Sequence, residues 1–207
     1  MKVDVQNKTN SEIKFVVEGV KPSFASALRR IMMSEVPTMA VEWVDFKKND
    51  SALPDEVIAN RLGLVPLTFD KGYNLQDECK CGGKGCSNCQ VKLVLKKKGP
   101  AVVYSGDLKS AAKDVKPVFD KIPITELFEN QEIQFEATAQ LGTGRKHSKW
   151  QAAVVGYESN ETKSGEGKYS FAVETASGLT PEEIVLNAAE ILETKMGEFS
   201  KQIKKLK

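Results

Sequence analysis

The segment that begins at Thr180 has the pattern of a long amphipathic helix, and this pattern limits the folds open to the chain. Thr180 can act as the N-cap, Pro181 occupies the first helical position and Glu183 completes a Thr-x-x-Glu capping box. Apolar residues then recur in steps of four and three, as the a and d positions of about three heptads do. These residues, the apolar seam, are Val185, Ala189, Leu192, Met196, Phe199, Ile203 and Leu206. The helix therefore needs an apolar surface along most of its length.

Two interpretations of this apolar seam are open. The helix could lie on a sheet of its own chain, which would bury the seam without any partner. A helix of this length, however, has more apolar stripe than one small sheet covers. A surplus apolar face of this kind is typical of protein–protein contacts, so we favour an intersubunit contact.

The amino-terminal end has the same character as the carboxy-terminal end. Alternation of Ile13, Phe15 and Val17 predicts a half-buried strand. A helix should follow between Pro22 and Pro37, because proline is favoured near a helix start and just beyond its end. The apolar stripe of that helix consists of Phe24, Leu28, Ile31 and Met32, whereas Arg29 and Arg30 fall off it.

The remaining elements predict an α+β fold with a discontinuous domain. Strands are expected at 41–46, 90–99, 132–141 and 168–175, a short helix at 54–63, and a polar turn or hairpin at 158–167. The sheet and amphipathic helices of the two ends predict one domain made of residues 1–46 and 168–207. The loop-rich middle, residues 47–167, predicts an inserted, mainly-β domain.

Composition places the chain among ordinary globular proteins. A formal charge of +2 over 207 residues favours neither nucleic acid nor protein as the partner. No apolar run reaches the length of a membrane span, and the first ten residues lack the apolar core of a signal peptide. We therefore expect a cytoplasmic protein without a membrane contact.

All four cysteines of the chain lie in the loop 78–90, with the spacing Cys-x-Cys-x4-Cys-x2-Cys. They are Cys79, Cys81, Cys86 and Cys89. Short knuckles of this kind let four thiolates converge on a tetrahedral zinc ion, and clustered cysteines in a cytoplasmic protein more often bind metal than form disulfides. Two disulfides or four free thiols are the alternatives. We favour one structural zinc ion.

A catalytic centre finds little support in the sequence. The one histidine, His147, lies in the basic loop 142–150, with no nucleophile and acidic orienting group visible beside it. The same loop contains Arg145, Lys146 and Trp150, so it could bind a single-stranded nucleic acid. We favour a protein-docking loop instead, because arginine and tryptophan are common anchors of interfaces.

Three motifs resemble one protein family. SFASALRRIMMSEVPTMAVEWV, EVIANRLGLVPL and LGTGRKHSKWQAA are similar, in this order, to the family of the archaeal RNA polymerase D-subunit. They also resemble its counterparts, the eukaryotic third-largest subunit and, more distantly, the amino-terminal part of the bacterial alpha subunit. The resemblance covers essentially the whole chain. It implies a non-catalytic assembly platform of the DNA-directed RNA polymerase, an enzyme of several subunits.

The resemblance also implies partners and contact residues. A discontinuous dimerisation domain would pair with subunit L through residues of its two helices, namely Phe24, Leu28, Ile31, Val185, Ala189, Leu192, Met196, Phe199 and Ile203. The second-largest subunit would be contacted by Arg29, Arg30, Arg61, Arg145, Lys146, His147 and Trp150. The small subunits N and P would contact the inserted domain, and the largest subunit would join last and hold the catalytic magnesium. DNA and RNA would be reached only through the assembled enzyme.

Cofactor expectations differ between branches of the family. Many archaeal relatives carry an iron–sulfur cluster in an extra insertion before the last helix. Here the corresponding stretch, Glu158 to Thr180, is short and contains no cysteine, so no iron–sulfur cluster is expected. The four-cysteine loop resembles the zinc loop of the eukaryotic members, which also favours zinc.

Overall fold

The alternation and the helical periodicity of the sequence correspond to strands and helices in a computed structural model of the chain. The structure describes residues 1–161 and 167–206, and at Glu161 it describes the backbone only. The strands are β1 (Lys2–Lys8), β2 (Glu12–Val20), β3 (Thr38–Asn49), β4 (Gln90–Lys98), β5 (Ala101–Tyr104), β6 (Lys109–Ser110), β7 (Pro123–Leu127), β8 (Glu132–Gly142), β9 (Ala153–Glu161) and β10 (Gly167–Thr175). The helices are α1 (Pro22–Ser34), α2 (Asp55–Gly63) and α3 (Pro181–Lys204).

These elements form two compact units. The terminal unit consists of Met1–Val36 and Thr143–Lys207, and the inserted unit of Pro37–Gly142. The α+β fold class, with a sheet and amphipathic helices from both chain ends and an inserted mainly-β part, is confirmed. The boundaries differ from the predicted 1–46, 47–167 and 168–207. β3 pairs with β8 over Thr38–Asn49, which keeps residues 37–46 in the inserted unit, and β9 pairs with β10, which keeps 153–161 in the terminal unit.

The terminal unit is an antiparallel sheet of order β1-β2-β10-β9 with α1 and α3 packed against it. Phe15 of β2 and Phe171 of β10 stack at the centre, with ring centroids 5.1 Å apart. Both helices contribute to the same core as these rings: α1 buries Leu28 among others, and α3 buries Ile184 and Ala188. Burial of these side chains is the main stabilising term for the unit.

The capping box predicted for α3 is confirmed. The Glu183 carboxylate accepts a hydrogen bond from the Thr180 N–H at 2.9 Å, and the Thr180 hydroxyl accepts one from the Glu183 N–H at 3.3 Å. The residues that α3 buries against its own sheet are different from the predicted seam. Pro181, Ile184 and Ala188 face the core, one position away from Val185 and Ala189. α3 therefore has two apolar stripes: its own unit buries the first, and it covers the apolar seam only in part, at Val185 and Leu192.

The inserted unit has its own core. A sheet of order β3-β8-β4-β6, a ribbon of β5 and β7, and α2 enclose buried side chains such as Phe135, Leu93, Ile58 and Leu62. The predicted strand 41–46 is the middle of a longer β3, while those at 90–99 and 132–141 match β4 and β8 to within one residue at each end. The predicted helix 54–63 is α2.

Several elements were not predicted. β1, β9 and the β5–β7 ribbon had no strand assigned to them, and the polar segment 158–167 was expected to be a turn or hairpin. β9 and β10 do form an antiparallel pair up to the Glu161–Gly167 pairing. The turn between them, residues 162–166, lies outside the described residues. Within the described ranges, no helix combines the length and the apolar composition that crossing a bilayer requires.

The two stripes of α3 should differ in what they contribute to folding. Ile184 is 0% exposed, so Ile184→Ala should lower the free energy of unfolding by about 2–5 kcal/mol through the cavity it leaves. Met196 is 58% exposed, and Met196→Ala should change the same free energy by no more than about 0.5 kcal/mol. Urea unfolding of the two variants and the unsubstituted chain measures both values. Equal losses at the two positions would contradict the assignment of the stripes.

Candidate metal centre and interaction surfaces

The four cysteine sulfurs converge in the loop between a 3-10 turn, Gln76–Glu78, and the first residue of β4. Cys79 Sγ lies 3.6 Å from Cys86 Sγ, Cys81 Sγ lies 3.7 Å from Cys89 Sγ, and Cys86 Sγ lies 3.8 Å from Cys89 Sγ. All four sulfurs are within 4.8 Å of one another. The sequence spacing predicted this convergence.

Glycines and backbone hydrogen bonds hold the loop in this shape. Gly82, Gly83 and Gly85 have φ angles of 63°, 80° and 84°, which lie in the left-handed region that side chains with a Cβ disfavour. Cys86 and Cys89 form a knuckle in which the Cys86 N–H donates to Cys89 Sγ at 3.3 Å. The Gln90 N–H, at the start of β4, donates to the Cys86 carbonyl at 2.9 Å, so the knuckle leads directly into the strand. The backbone, and not only the thiols, is arranged around one point.

The loop is also tied to the sheet of the inserted unit. Cys89 is buried and immediately precedes β4. The side chain of Gln90 donates to the Gln140 side chain on β8 at 3.2 Å, and Gln140 is itself buried. No sequence pattern indicated this glutamine pair, because its two members are distant in the chain. The pair fixes where the knuckle begins relative to the sheet.

The thiols differ in how easily they ionise. Burial opposes ionisation of Cys81, but hydrogen bonds from the Cys79 thiol and the Gly85 N–H outweigh it and lower the pKa of Cys81 to about 7. Burial raises the pKa of Cys89 to about 12, against the opposing effect of the Cys86 N–H. A cation that binds these sulfurs as thiolates must therefore displace protons, and protons will compete with it.

The geometry fits a tetrahedral metal ion. With a Zn–S distance of about 2.3 Å, the sulfurs of a tetrahedral site stand about 3.8 Å apart. Three of the sulfur pairs in this loop are 3.6–3.8 Å apart without any rearrangement. The cysteine cluster could therefore hold one metal ion, and its dimensions are compatible with zinc.

An apolar groove of about 770 Å³ opens in the terminal unit between β1, β2, α1 and α3. Val3 and Val5 of β1 lie opposite Val17 and Phe15 of β2, so they continue the apolar face of the sheet. Both valines are nevertheless exposed, as is Leu186 on α3. The helices do not cover the β1 end of the sheet, and the groove is the uncovered part. None of these three exposed residues was predicted, although the alternation of the two valines was a usable signal.

The exposed stripe of α3 continues beyond the groove. From Glu193 to Leu206 every residue is exposed, including Met196 at 58% and Phe199 at 61%. The Lys195 ammonium pairs with the Glu35 carboxylate at the end of α1. Isolated helices of about 12–15 residues are only marginally stable in water, so this half of α3 has few contacts within the chain that stabilise it.

The residues expected at a dimer interface fall into two classes. Seven of them have accessible surface that a partner could contact. Four are exposed, namely Ala189, Met196, Phe199 and Ile203, and three are half-buried, namely Phe24, Val185 and Leu192. Leu28 and Ile31 are 5% exposed and belong to the core of the terminal unit. Leu28 still lines the groove with its remaining surface. Ile31 does not line the groove. It was assigned to the interface because helical periodicity identifies apolar positions without showing which of them face the chain's own sheet.

Two of the arginines expected to contact a large subunit make hydrogen bonds within their own unit. Arg29 donates through Nε to the Val155 carbonyl of β9 at 2.8 Å, which ties α1 to the edge strand. Arg61 donates through a terminal nitrogen to the Ile124 carbonyl of β7 at 2.8 Å. Arg30 is exposed on α1. Arg30 is thus the arginine of this helix with a side chain at the surface.

The basic loop 142–150 is anchored rather than extended. Its Arg145 N–H donates to the Ser34 carbonyl at the end of α1 at 2.8 Å, and a Cβ at Gly144 would stand 2.6 Å from the Met33 carbonyl oxygen. Glycine is therefore required for this close approach. Arg145, Lys146 and His147 are exposed. The loop presents these three side chains from a fixed backbone.

Trp150 was expected to be a contact residue, and this expectation is wrong. Its side chain is 1% exposed, which leaves it no surface for a partner. The Lys149 and Lys146 ammonium groups lie 4.4 and 5.4 Å from the centroid of its ring, within the range of cation–π attraction. The buried indole thus contacts the ammonium groups of the two lysines through the face of its ring.

A sequence model of one family matches more than half of the chain. Residues 44–157 match the RNA polymerase Rpb3/RpoA insert domain. The chain is also 47% identical over 159 residues to the DNA-directed RNA polymerase subunit Rpo3 of Methanothermobacter thermautotrophicus, a match that covers 75% of this chain and 60% of that protein. The chain belongs to the Rpo3/RpoA family. The resemblance identified from the three motifs, which pointed to the archaeal branch, is confirmed.

Two further Rpo3 proteins show the same extent of similarity. The protein of Archaeoglobus fulgidus is 46% identical over 154 residues, or 74% of this chain and 58% of its own length. That of Pyrococcus furiosus is 47% identical over 158 residues, or 76% of this chain and 59% of its own length. The chain thus matches about three-fifths of the length of these Rpo3 relatives. The cysteine loop lies inside the part that matches the insert-domain family.

Metal binding by the cysteine loop should depend on all four thiols and on pH. The purified chain should bind one zinc ion, and Cys89→Ser should abolish tight binding by removing the most enclosed ligand. Zinc affinity should rise from about pH 6 to pH 8, by about tenfold per pH unit for each proton released, because thiolates bind and thiols do not. Competition with a chromophoric chelator at several pH values measures this affinity.

The matched control is Ser87→Ala, which changes an exposed residue between two of the ligands. It should leave both the zinc stoichiometry and the pH dependence unchanged. A Cys89→Ser chain that keeps its full zinc load would contradict the four-thiolate site. A zinc affinity independent of pH would contradict thiolate ligation.

Proposed function

We propose that the chain is a non-catalytic assembly platform of a DNA-directed RNA polymerase with several subunits. In this proposal it pairs with a small partner, subunit L, through the terminal unit. The pair then recruits the second-largest subunit, and the largest subunit joins afterwards. The observation that carries the proposal is the continuous apolar face of the groove and α3, which the chain's own sheet leaves uncovered.

The size of this face supports a permanent partner. An obligate pair of subunits typically buries upward of about 2,000 Å² and is more apolar than a transient contact. The face includes exposed side chains from two elements that are distant in sequence, the edge strand β1 and the helix α3. A partner that fills the groove and covers the end of α3 would bury both at once. Removal of this apolar surface from water would drive the pairing.

The inserted unit and the basic loop are the proposed contacts with other subunits. We assign Arg30, Arg145, Lys146 and His147 to the second-largest subunit, because their side chains are at the surface. Arg61 joins them through its remaining donors. Subunits N and P are proposed to contact the inserted unit. DNA and RNA would be met only in the assembled enzyme, which acts in the cytoplasm.

The cysteine loop is proposed to hold one structural zinc ion. Four protein thiolates fill a tetrahedral shell, so no position is left open for a substrate or a reacting water. Lys80 and Lys84 are exposed in the same loop and would offset part of the negative charge of a four-thiolate zinc site. The chain's residues would hold the ion, and the ion would fix the loop against the start of β4. The catalytic magnesium is proposed to belong to the largest subunit.

Pairing with subunit L should depend on the apolar seam of α3. Phe199→Asp should abolish co-purification with subunit L, because it places a carboxylate in a surface that becomes desolvated. The matched control is Thr194→Asp, which adds the same charge to an exposed position on the side of α3 away from the seam. Affinity purification of co-expressed chains, followed by mass spectrometry, measures the pairing.

The control should pair normally. Equal yields of the pair from Phe199→Asp and from the unsubstituted chain would contradict the proposed interface. A chain that never pairs with subunit L, and instead binds DNA or RNA in a salt-sensitive way, would replace the platform by a free-standing nucleic-acid-binding regulator.

A further inference from the structure

Gly197 lies in the middle of the exposed half of α3, where glycine is unfavourable. Among residues inside helices, only proline is a poorer helix former than glycine. The φ of Gly197 is not among the positive ones. Apart from adjacent residues and the helix's own backbone, no atom of the described chain lies within 4 Å of where a Cβ would stand. Neither backbone conformation nor packing within the described chain explains why this position has no side chain.

Small residues flank Gly197 on its own face of the helix. Thr194 lies three residues before it and Ser200 three residues after it, so the three positions are neighbours on the helix surface. All three are exposed. The apolar seam lies roughly a third of a turn away around the helix axis. The three small residues therefore form a shallow notch that is separate from the seam, and another helix backbone can approach closely there.

Charged residues are arranged symmetrically about the notch. Glu193 and Lys201 lie four residues before and after Gly197, and Glu190 and Lys204 lie seven residues before and after it. Offsets of four and seven keep all of them on the face of the glycine. All four are exposed, and none forms an ion pair with a residue that the structure describes. Acids thus occupy one side of the notch and bases the other.

This order is complementary to itself. When two identical helices cross antiparallel at the same residue, a position before the crossing point in one helix faces the position equally far after it in the other. Glu193 of one copy would face Lys201 of the other, and Glu190 would face Lys204. A two-fold axis through Gly197 repeats both pairs, as an isologous contact requires. Crossing at the notch would bring opposite charges together four times and like charges never.

The helix dipole accounts for only half of this order, because Lys201 and Lys204 lie in the last turn of α3, where the dipole favours bases. Its field favours acids in the first turn and bases in the last turn, and it falls off beyond them. Glu190 and Glu193 lie nine and twelve residues after the first helical residue, Pro181, so they are outside the first turn. Neither has a basic residue four positions later on the helix, because Thr194 and Gly197 occupy those positions. The two acids are therefore placed for something outside the helix.

We infer that the face of α3 centred on Gly197 binds the same face of a second copy of this chain, with the two helices antiparallel and crossing at the glycine. The occupant is a second copy because charge order and small residues are both symmetric about one point. The contact is polar, so it should be weak and sensitive to salt, unlike the apolar contact proposed for the seam. The inference does not depend on the proposed function, since its face is centred on Gly197 and meets the groove proposed for subunit L only at Glu193.

Charge reversal with rescue tests the inference on the full chain. Sedimentation analysis at low salt should show reversible dimers that dissociate at high salt. Lys201→Glu with Lys204→Glu makes the face wholly acidic, and Glu190→Lys with Glu193→Lys makes it wholly basic. Each double variant alone should self-associate at least about tenfold more weakly, because like charges then meet. An equimolar mixture of the two should dimerise again, because acidic and basic faces are complementary.

Two further variants separate this contact from other causes. Lys71→Glu with Lys98→Glu changes the net charge by the same amount at exposed positions in the inserted unit, and it should leave self-association unchanged. Gly197→Leu should raise the helix content of the chain in circular dichroism and weaken self-association, because leucine favours the helix but fills the notch.

The inference would be overturned by a chain that stays monomeric at low salt up to its highest soluble concentration. It would also be overturned if the mixture of acidic and basic variants failed to dimerise. Self-association that is equal in all variants and insensitive to salt would assign the dimer to the apolar seam instead. None of these results bears on pairing with subunit L, which the Phe199→Asp variant tests separately.

Discussion

The terminal unit depends on a mismatch between one helix and one sheet. α3 has two apolar stripes, whereas the core formed by a four-stranded sheet and α1 buries only one of them and receives the apolar seam only in part, at Val185 and Leu192. Ile184 and Ala188 take that place and complete the core around Phe15 and Phe171. The rest of the second stripe has to remain in water or be covered from outside. The uncovered β1 end of the sheet and the exposed half of α3 both follow from this mismatch.

The inserted unit differs from the terminal unit in how its long connection is stabilised. Its sheet and α2 have a core of their own, to which the connection from α2 to β4 contributes Val65 and Leu67, but from Gln76 to β4 this connection has few buried side chains. Within that connection the four thiols gather around a single point, and Cys89 joins them to β4. A metal ion would there replace the apolar contacts that the segment lacks. The terminal unit thus relies on burial, and in the inserted unit ligation of a metal ion would add to burial.

Periodicity made most of the fold predictable, and its limits explain the errors. The helices and β2, β4, β8 and β10 have clear periods or caps, whereas β1 is exposed along its whole length and was overlooked. The cysteine site was predictable because its ligands are close in sequence. Charge and aromaticity in a sequence do not reveal packing, so the hydrogen bond of Arg29 and the burial of Trp150 could not be predicted. Their actual neighbours, Val155 and the two lysines, become visible only in the fold.

Backbone hydrogen exchange of α3 tests the central claim most directly, namely that a partner covers the face this chain leaves open. The free chain would be compared with a polymerase assembly purified through this chain. Residues 184–192 should be protected in both, since they touch the chain's own core. Residues 193–204 should exchange fast in the free chain and at least about a hundredfold more slowly in the assembly. Equally fast exchange of these residues in both states would contradict the claim.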